Sequence, residues 1–117
     1  MITEGKVRRL RESDVEWDEL VPGIQLARSI TAAGTTQLGG GYMRFSADAE
    51  FAGWTLKYDE VLFVQQGRLE ILEDGRSTVA QAGEAVLIPN GATVTYKGRK
   101  DTIGFFVLWP FDWNRQA

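Results

Sequence analysis

Leu69-Glu-Ile-Leu-Glu-Asp74-Gly75-Arg-Ser-Thr-Val-Ala80 holds two short β-prone runs on either side of Asp-Gly. That dipeptide tolerates the positive φ of a tight primed turn, so the segment predicts a β-hairpin. Outward from it, Val86-Leu-Ile88 stops at Pro89-Asn-Gly91. Further strand candidates are Ile24–Ile30, Gly41–Phe45, Glu60–Gln66, Ala92–Tyr96 and Gly104–Trp109. Short strands at regular spacing, punctuated by Gly or Pro, predict an all-β sandwich or barrel. Thr31–Gly41, ending in three glycines, reads as a loop: a flexible connector, or an anion-binding nest of backbone amides. It has neither a Walker lysine-and-hydroxyl ending nor a dinucleotide fingerprint. Glu12–Leu20 has room for one helical turn with Ser13 as N-cap.

The chain has 117 residues, enough for one domain, and 44% of them are hydrophobic, so a core needs neither disulfide nor metal. It contains no histidine and no cysteine. The usual ligands for zinc, copper and non-haem iron are therefore missing, as is Ser-His-Asp or Cys-His nucleophilic machinery. Chemistry here must use carboxylates, tyrosine, lysine, arginine and backbone groups. A net charge of −3 argues against nucleic acid as a partner. The short basic run Lys6–Arg11 is followed at once by Glu12, Asp14, Glu16, Asp18 and Glu19, and reads as a solvated surface strand or a subunit contact. No apolar run approaches the ~20 residues that cross a bilayer, and Met1–Lys6 lacks a signal-peptide pattern. A soluble cytoplasmic protein without membrane contact is expected.

The spacing of the middle of the chain resembles the cupin superfamily. Counting from Glu60, Gly67 takes the glycine place of the first cupin motif, while Trp54 and Leu56 take its two histidine places. Gly83, Pro89 and Gly91 fit the second motif, with Val94 in the histidine place. Asp48 stands where the first motif opens with glycine, and Gly98 where the second closes with asparagine. Three of the four metal ligands are thus apolar. Within the superfamily, Trp54-Thr-Leu-Lys-Tyr-Asp-Glu60, Gly67-x-Leu-Glu70, Ala82-Gly83, Ile88-Pro-x-Gly91 and Trp109-Pro-x-x-Trp113 resemble the ethanolamine-utilisation cupin family EutQ, as does Gly41-Tyr-Met-Arg-Phe45. The likeness covers about residues 40–113. It implies a single cupin domain over residues 1–117, a double-stranded β-helix or jelly-roll barrel with a strand-rich N-terminal extension over about residues 1–30. It also implies frequent homodimers and an ascribed acetate kinase activity. Longer members carry a further N-terminal region, which a chain of 117 residues is expected to lack.

Strand alternation puts Trp54 and Leu56 on one face, which the motif aims into the barrel. Indole, isobutyl and isopropyl groups would then fill the metal cavity, so no metal and no cofactor is expected. Glu60 is left as a carboxylate among hydrocarbon, where desolvation raises its pKa. It reads either as a structural acceptor or as an acid–base group. Tyr58 shares its parity and is its expected hydrogen-bond partner; Tyr96, two residues after Val94, faces the same interior. Asp59 has the opposite parity and faces outward or caps a turn. The candidate catalytic set is Glu60, Tyr58 and Tyr96. The candidate ligand-binding set is Trp54, Leu56, Val94 and Trp109, with Lys57 or Arg44 to hold an anion. Trp109, Pro110, Phe111 and Trp113 form an aromatic exit that closes the barrel mouth or meets a second subunit. Three functions stay open: a metal-independent enzyme acting on a small polar or anionic metabolite, a non-catalytic ligand-binding module, and a structural dimer with a plugged ancestral metal site.

Overall fold

A computed structural model describes residues 5–14, 16–34 and 36–115. Ten strands form two antiparallel sheets: β1 (Asp18–Val21), β2 (Ile24–Ala27), β3 (Gly39–Phe45), β4 (Ala49–Thr55), β5 (Asp59–Gln66), β6 (Arg68–Glu73), β7 (Arg76–Gln81), β8 (Ala85–Ile88), β9 (Thr93–Gly98) and β10 (Ile103–Trp109). One sheet has the order β1-β2-β3-β10-β5-β8 and the other β4-β9-β6-β7. The Asp74-Gly75 hairpin is present, with β6 pairing β7 from Arg68↔Gln81 to Glu73↔Arg76. All-β architecture is therefore as the turn signals predict.

The two sheets close on a core supplied by alternate residues. On β5, Glu60, Leu62 and Val64 point inward while Asp59, Val61 and Phe63 point out. Leu62 and Val64 share one buried cluster with Phe45, Leu56, Leu69 and Ile24, and these six are the largest side chains buried almost completely. Full burial of such a side chain contributes about 1.5–3 kcal/mol, so this layer holds the sandwich shut.

Several local expectations fail for identifiable reasons. The strand expected over Ile24–Ile30 ends at Ala27, and Ser29–Ala33 is a short helix, α1, closed at Gly34. The connector expected at Thr31–Gly41 is short, because its glycines belong to β3. Gly40 has φ +115°, and a Cβ there would lie 2.2 Å from the Phe106 carbonyl oxygen. Gly40 thus lets β3 approach β10, Gly41 lets it approach the Ala27–Ser29 backbone, and both are strand residues rather than an open anion nest. Glu12–Asp14 is a single 3-10 turn containing Ser13 rather than following it, and β1 takes up Asp18–Val21. Residues Gly5–Arg11 run exposed without forming a strand, apart from the Leu10 carbonyl, which accepts a 3.1 Å bond from the Tyr42 hydroxyl. β4 was hidden because it carries a bulge between Phe51 and Trp54, where the pairing with β9 shifts register.

Candidate functional site

The backbone at the two cupin-like motifs is tied into one unit. Leu56 donates its amide to the Ala92 carbonyl at 2.9 Å, and the Gly91 amide donates to the Leu56 carbonyl at 2.8 Å. Asp59 faces outward and accepts the Asn90 amide at 2.9 Å, which caps the Pro89–Gly91 turn. With β4 and β9 in register at Trp54↔Val94 and Phe51↔Tyr96, side chains from both motifs converge between the sheets.

They line a cavity of about 210 Å³. Trp54 and Phe51 come from β4, Glu60 from β5, Tyr58 from the residue before it, and Tyr96 from β9. Leu20, Ile24, Leu26, Met43, Phe106 and Leu108 supply apolar wall, and Trp113 covers part of the mouth. Trp113 stands edge-on to Trp54 at 5.7 Å between ring centroids and 5.2 Å from Tyr58. Arg28, exposed between β2 and α1, is the cation on the lining.

Glu60 is 4% exposed, and the Tyr96 hydroxyl donates to its Oε1 at 2.6 Å. Burial pushes the Glu60 carboxyl up to about 7, and the bond from Tyr96, which favours the charged form, opposes that rise. Burial also raises both phenols. Tyr58 is pushed up to about 12, first by desolvation and then by the Glu60 charge, against the Trp54 hydrogen bond and the Arg28 charge. Tyr96 is raised by desolvation and then by the charge and hydrogen bond of Glu60. Near neutral pH, then, Glu60 divides between acid and carboxylate while both phenols keep their protons. That combination can accept or deliver a proton and can donate hydrogen bonds to a bound molecule.

The structure brings together Glu60, Tyr96, Tyr58 and Trp54 from the expected set. Their pairing differs from expectation. Tyr58 accepts a 2.9 Å bond from the Trp54 indole N–H, and Tyr96, across the barrel, is the partner of Glu60. Leu56 and Val94 are buried at 1% and 2% exposure and belong to the packed core beneath the cavity rather than to its wall. Lys57 is exposed and off the lining. Arg44 donates from Nε to Gln25 at 3.0 Å and lies 4.3 Å over the Trp17 ring, so it is held away from the cavity. Trp109 is 55% exposed on β10 and does not reach the lining. Arg28, absent from the expected set, lies between β2 and α1 within the stretch expected as strand, where its parity with Ile24 and Leu26 is the signal that points it to the cavity. Phe51 was missed because the β4 bulge breaks alternation.

A cupin metal would require ligands where Trp54, Leu56 and Val94 stand. Glu60 is the one surviving donor of that motif, and no cluster of three or more acidic or other ligating side chains occurs among the described residues. The donor set does not fit a resident transition metal.

The family model described as ethanolamine utilisation protein EutQ matches residues 14–115. A curated relative, acetate kinase EutQ of Salmonella typhimurium strain LT2, is 31% identical over 92 residues. That alignment covers 78% of this chain and 39% of the relative, so the chain spans well under half of the relative's length. The crystal structure of a putative ethanolamine utilisation protein Q from Salmonella typhimurium LT2 superposes with a TM-score of 0.79 at 26% identity, covering 94% of this chain and 91% of that one. An RmlC-like cupin from Shewanella frigidimarina, at 16% identity, shares the fold alone, with a TM-score of 0.72 and coverage of 90% and 92%. Sheet order, motif spacing and these matches agree: the chain belongs to the EutQ family, and its fold is that of a cupin.

Proposed function

We propose that the protein is a metal-independent cupin that binds a small polar metabolite between its sheets, with Glu60 as the group able to transform it. The observation carrying this reading is the buried Glu60–Tyr96 pair, 2.6 Å apart, on the wall of a cavity also lined by Tyr58 and Trp54. A carboxylic acid kept from water and poised near neutral pH is a suitable general acid or base, with Tyr96 and Tyr58 as neutral donors. A non-catalytic binding module would use the same groups without turnover. The anionic ligand expected from Lys57 or Arg44 loses that support, because both lie off the lining. Acetate kinase activity belongs to the names of the curated relatives. Transfer of a phosphoryl group calls for neutralisation of phosphate charge. This cavity offers one arginine at its mouth and a carboxylate within, which favours the metabolite-binding reading.

A homodimer is part of the same proposal. Val61, Phe63, Leu87 and Trp109 stand exposed on the outer face of the six-stranded sheet. They lie on the neighbouring strands β8, β5 and β10, in register at Val61↔Leu87, Val61↔Val107 and Phe63↔Phe105. An exposed apolar face leaves water when it pairs with a second copy of itself about a two-fold axis, which suits a dimer of the chain.

Thermal melting with small acids, amines and nucleotides tests the pocket, since a ligand bound only by the native state raises the melting temperature. The expected result is a rise with at least one small polar compound, lost when Trp54→Ala opens the cavity wall. A panel that leaves the melting temperature unmoved would remove the ligand-binding reading.

A further inference from the structure

Five of the six aromatic rings on the cavity wall form a continuous belt, with Phe106 the sixth and outside it. Tyr96 and Phe51 stack with centroids 6.2 Å apart, and Phe51 meets Trp54 at 5.6 Å. Trp54 meets Trp113 at 5.7 Å, and Trp113 meets Tyr58 at 5.2 Å. Both ends of the belt come back to Glu60. Tyr96 donates a hydrogen bond to it, and Tyr58 precedes it by two residues on the same inward face. Beyond the belt and Glu60 the wall is apolar, Phe106 and Met43 included, apart from Arg28 at the mouth. The site therefore sets five linked aromatic rings around one buried carboxyl group.

The charge preference of such a site follows from its parts. Ring faces attract positive charge through their quadrupole, most strongly where water is excluded. A carboxylate desolvated without a countercharge is costly, and a cation set beside it removes that cost. An anion would meet both the rings and Glu60 unfavourably. A neutral guest would gain burial and hydrogen bonds but no charge interaction. Arg28 opposes a cation, but it is exposed to water, which screens its charge far more than that of buried Glu60.

Resting on the reading of this cavity as a ligand site, we propose that its ligand is a small organic cation, an alkylammonium group held among Phe51, Trp54, Tyr58, Tyr96 and Trp113 with its charge toward Glu60. The proposal narrows the ligand class and adds a pH dependence. A proton on Glu60 competes with the cation, so affinity increases as pH rises through the carboxyl's value of about 7 and weakens below it. The other titratable and charged groups facing Glu60 are Tyr58, Tyr96 and Arg28. Neither phenol changes charge in that window, since burial raises both above it.

Three probes of nearly one shape and differing charge test this: tert-butylammonium, tert-butanol and pivalate. Each is titrated into the intact chain, above and below the Glu60 pKa, by calorimetry and by quenching of the tryptophan emission. The expected result at the higher pH is tert-butylammonium bound at least about tenfold tighter than tert-butanol, with pivalate weakest. Glu60→Gln should reduce the advantage of the ammonium over tert-butanol by about tenfold. Phe51→Leu, a mild change at the cavity wall, should weaken the ammonium selectively and guards against misfolding of the first variant. If tert-butanol or pivalate binds as tightly as the ammonium, the cationic class is wrong while the ligand site stands; if Glu60→Gln keeps the full preference, the placement of the charge toward Glu60 is wrong. If none of the three binds, the cavity is no ligand site and both readings fall together.

Discussion

Glu60 is an ionisable side chain that the fold buries, and it does so against a cost. Its carboxyl ordinarily titrates near 4.5 and is raised to about 7 here, chiefly because burial penalises the charged form. A raised carboxyl binds its proton more tightly in the folded state than in the unfolded chain. The group's favourable contribution is therefore complete below about 4.5 and is lost as pH rises through about 7. Over that window the fold should lose about 3 kcal/mol from this residue. Glu60→Gln, which can still accept the Tyr96 hydrogen bond, should flatten that slope and leave the variant more stable than the parent above neutral pH. Urea denaturation at a series of pH values reads this directly, and an unchanged slope would show that Glu60 is not desolvated as described. Tyr96→Phe acts on the same carboxyl in the other direction. Removing the donor that supports the carboxylate should push the Glu60 value higher still, observable by carbon NMR of the side-chain carboxyl.

Two glycines show how elements place these residues. Gly40 sits where β3 presses on β10, and an added Cβ would come within 2.2 Å of backbone oxygen. Gly53 occupies the β4 bulge at φ +65° with open space around its missing side chain. Gly40→Ala should cost about 3 kcal/mol or more, since β3 and β10 must separate. Gly53→Ala should cost about 1 kcal/mol, since only the backbone conformation resists it. Chemical denaturation of the two variants checks the contrast. The same places mark where reading the chain succeeded and failed. Asp74-Gly75, Pro89-Asn-Gly91 and the alternation of β5 are local signals, so the hairpin, the turn and the inward aim of Glu60 were legible. The compression at Gly40 depends on Phe106, more than sixty residues away, and no local pattern announces it. Which tyrosine reaches Glu60 is equally non-local. Parity allowed Tyr58 and Tyr96 alike, and the β4–β9–β6 order decides in favour of Tyr96.

At the scale of the molecule, the two faces of the six-stranded sheet ask for different company. The inner face of β5, β10 and β3 gives Glu60, Phe106, Leu108 and Met43 to the cavity. The outer face leaves Leu87 at 73% exposed beside Val61 and Phe63. Leaving such a face in water costs roughly 25 cal/mol per Å² of apolar surface relative to covering it. A two-fold pair of chains would cover both copies of the patch at once. The Leu87→Glu and Phe63→Glu double variant places two charges on that patch without touching the core beneath. Sedimentation velocity should show the parent as a dimer and the variant as a monomer, with unchanged far-ultraviolet dichroism. Because the cavity opens between the sheets, away from this face, the variant should keep the parent's affinity for tert-butylammonium. A parent that sediments as a monomer at every concentration would dispose of the dimer. A variant that separates and also loses ligand would instead mean that the partner copy helps to shape the cavity.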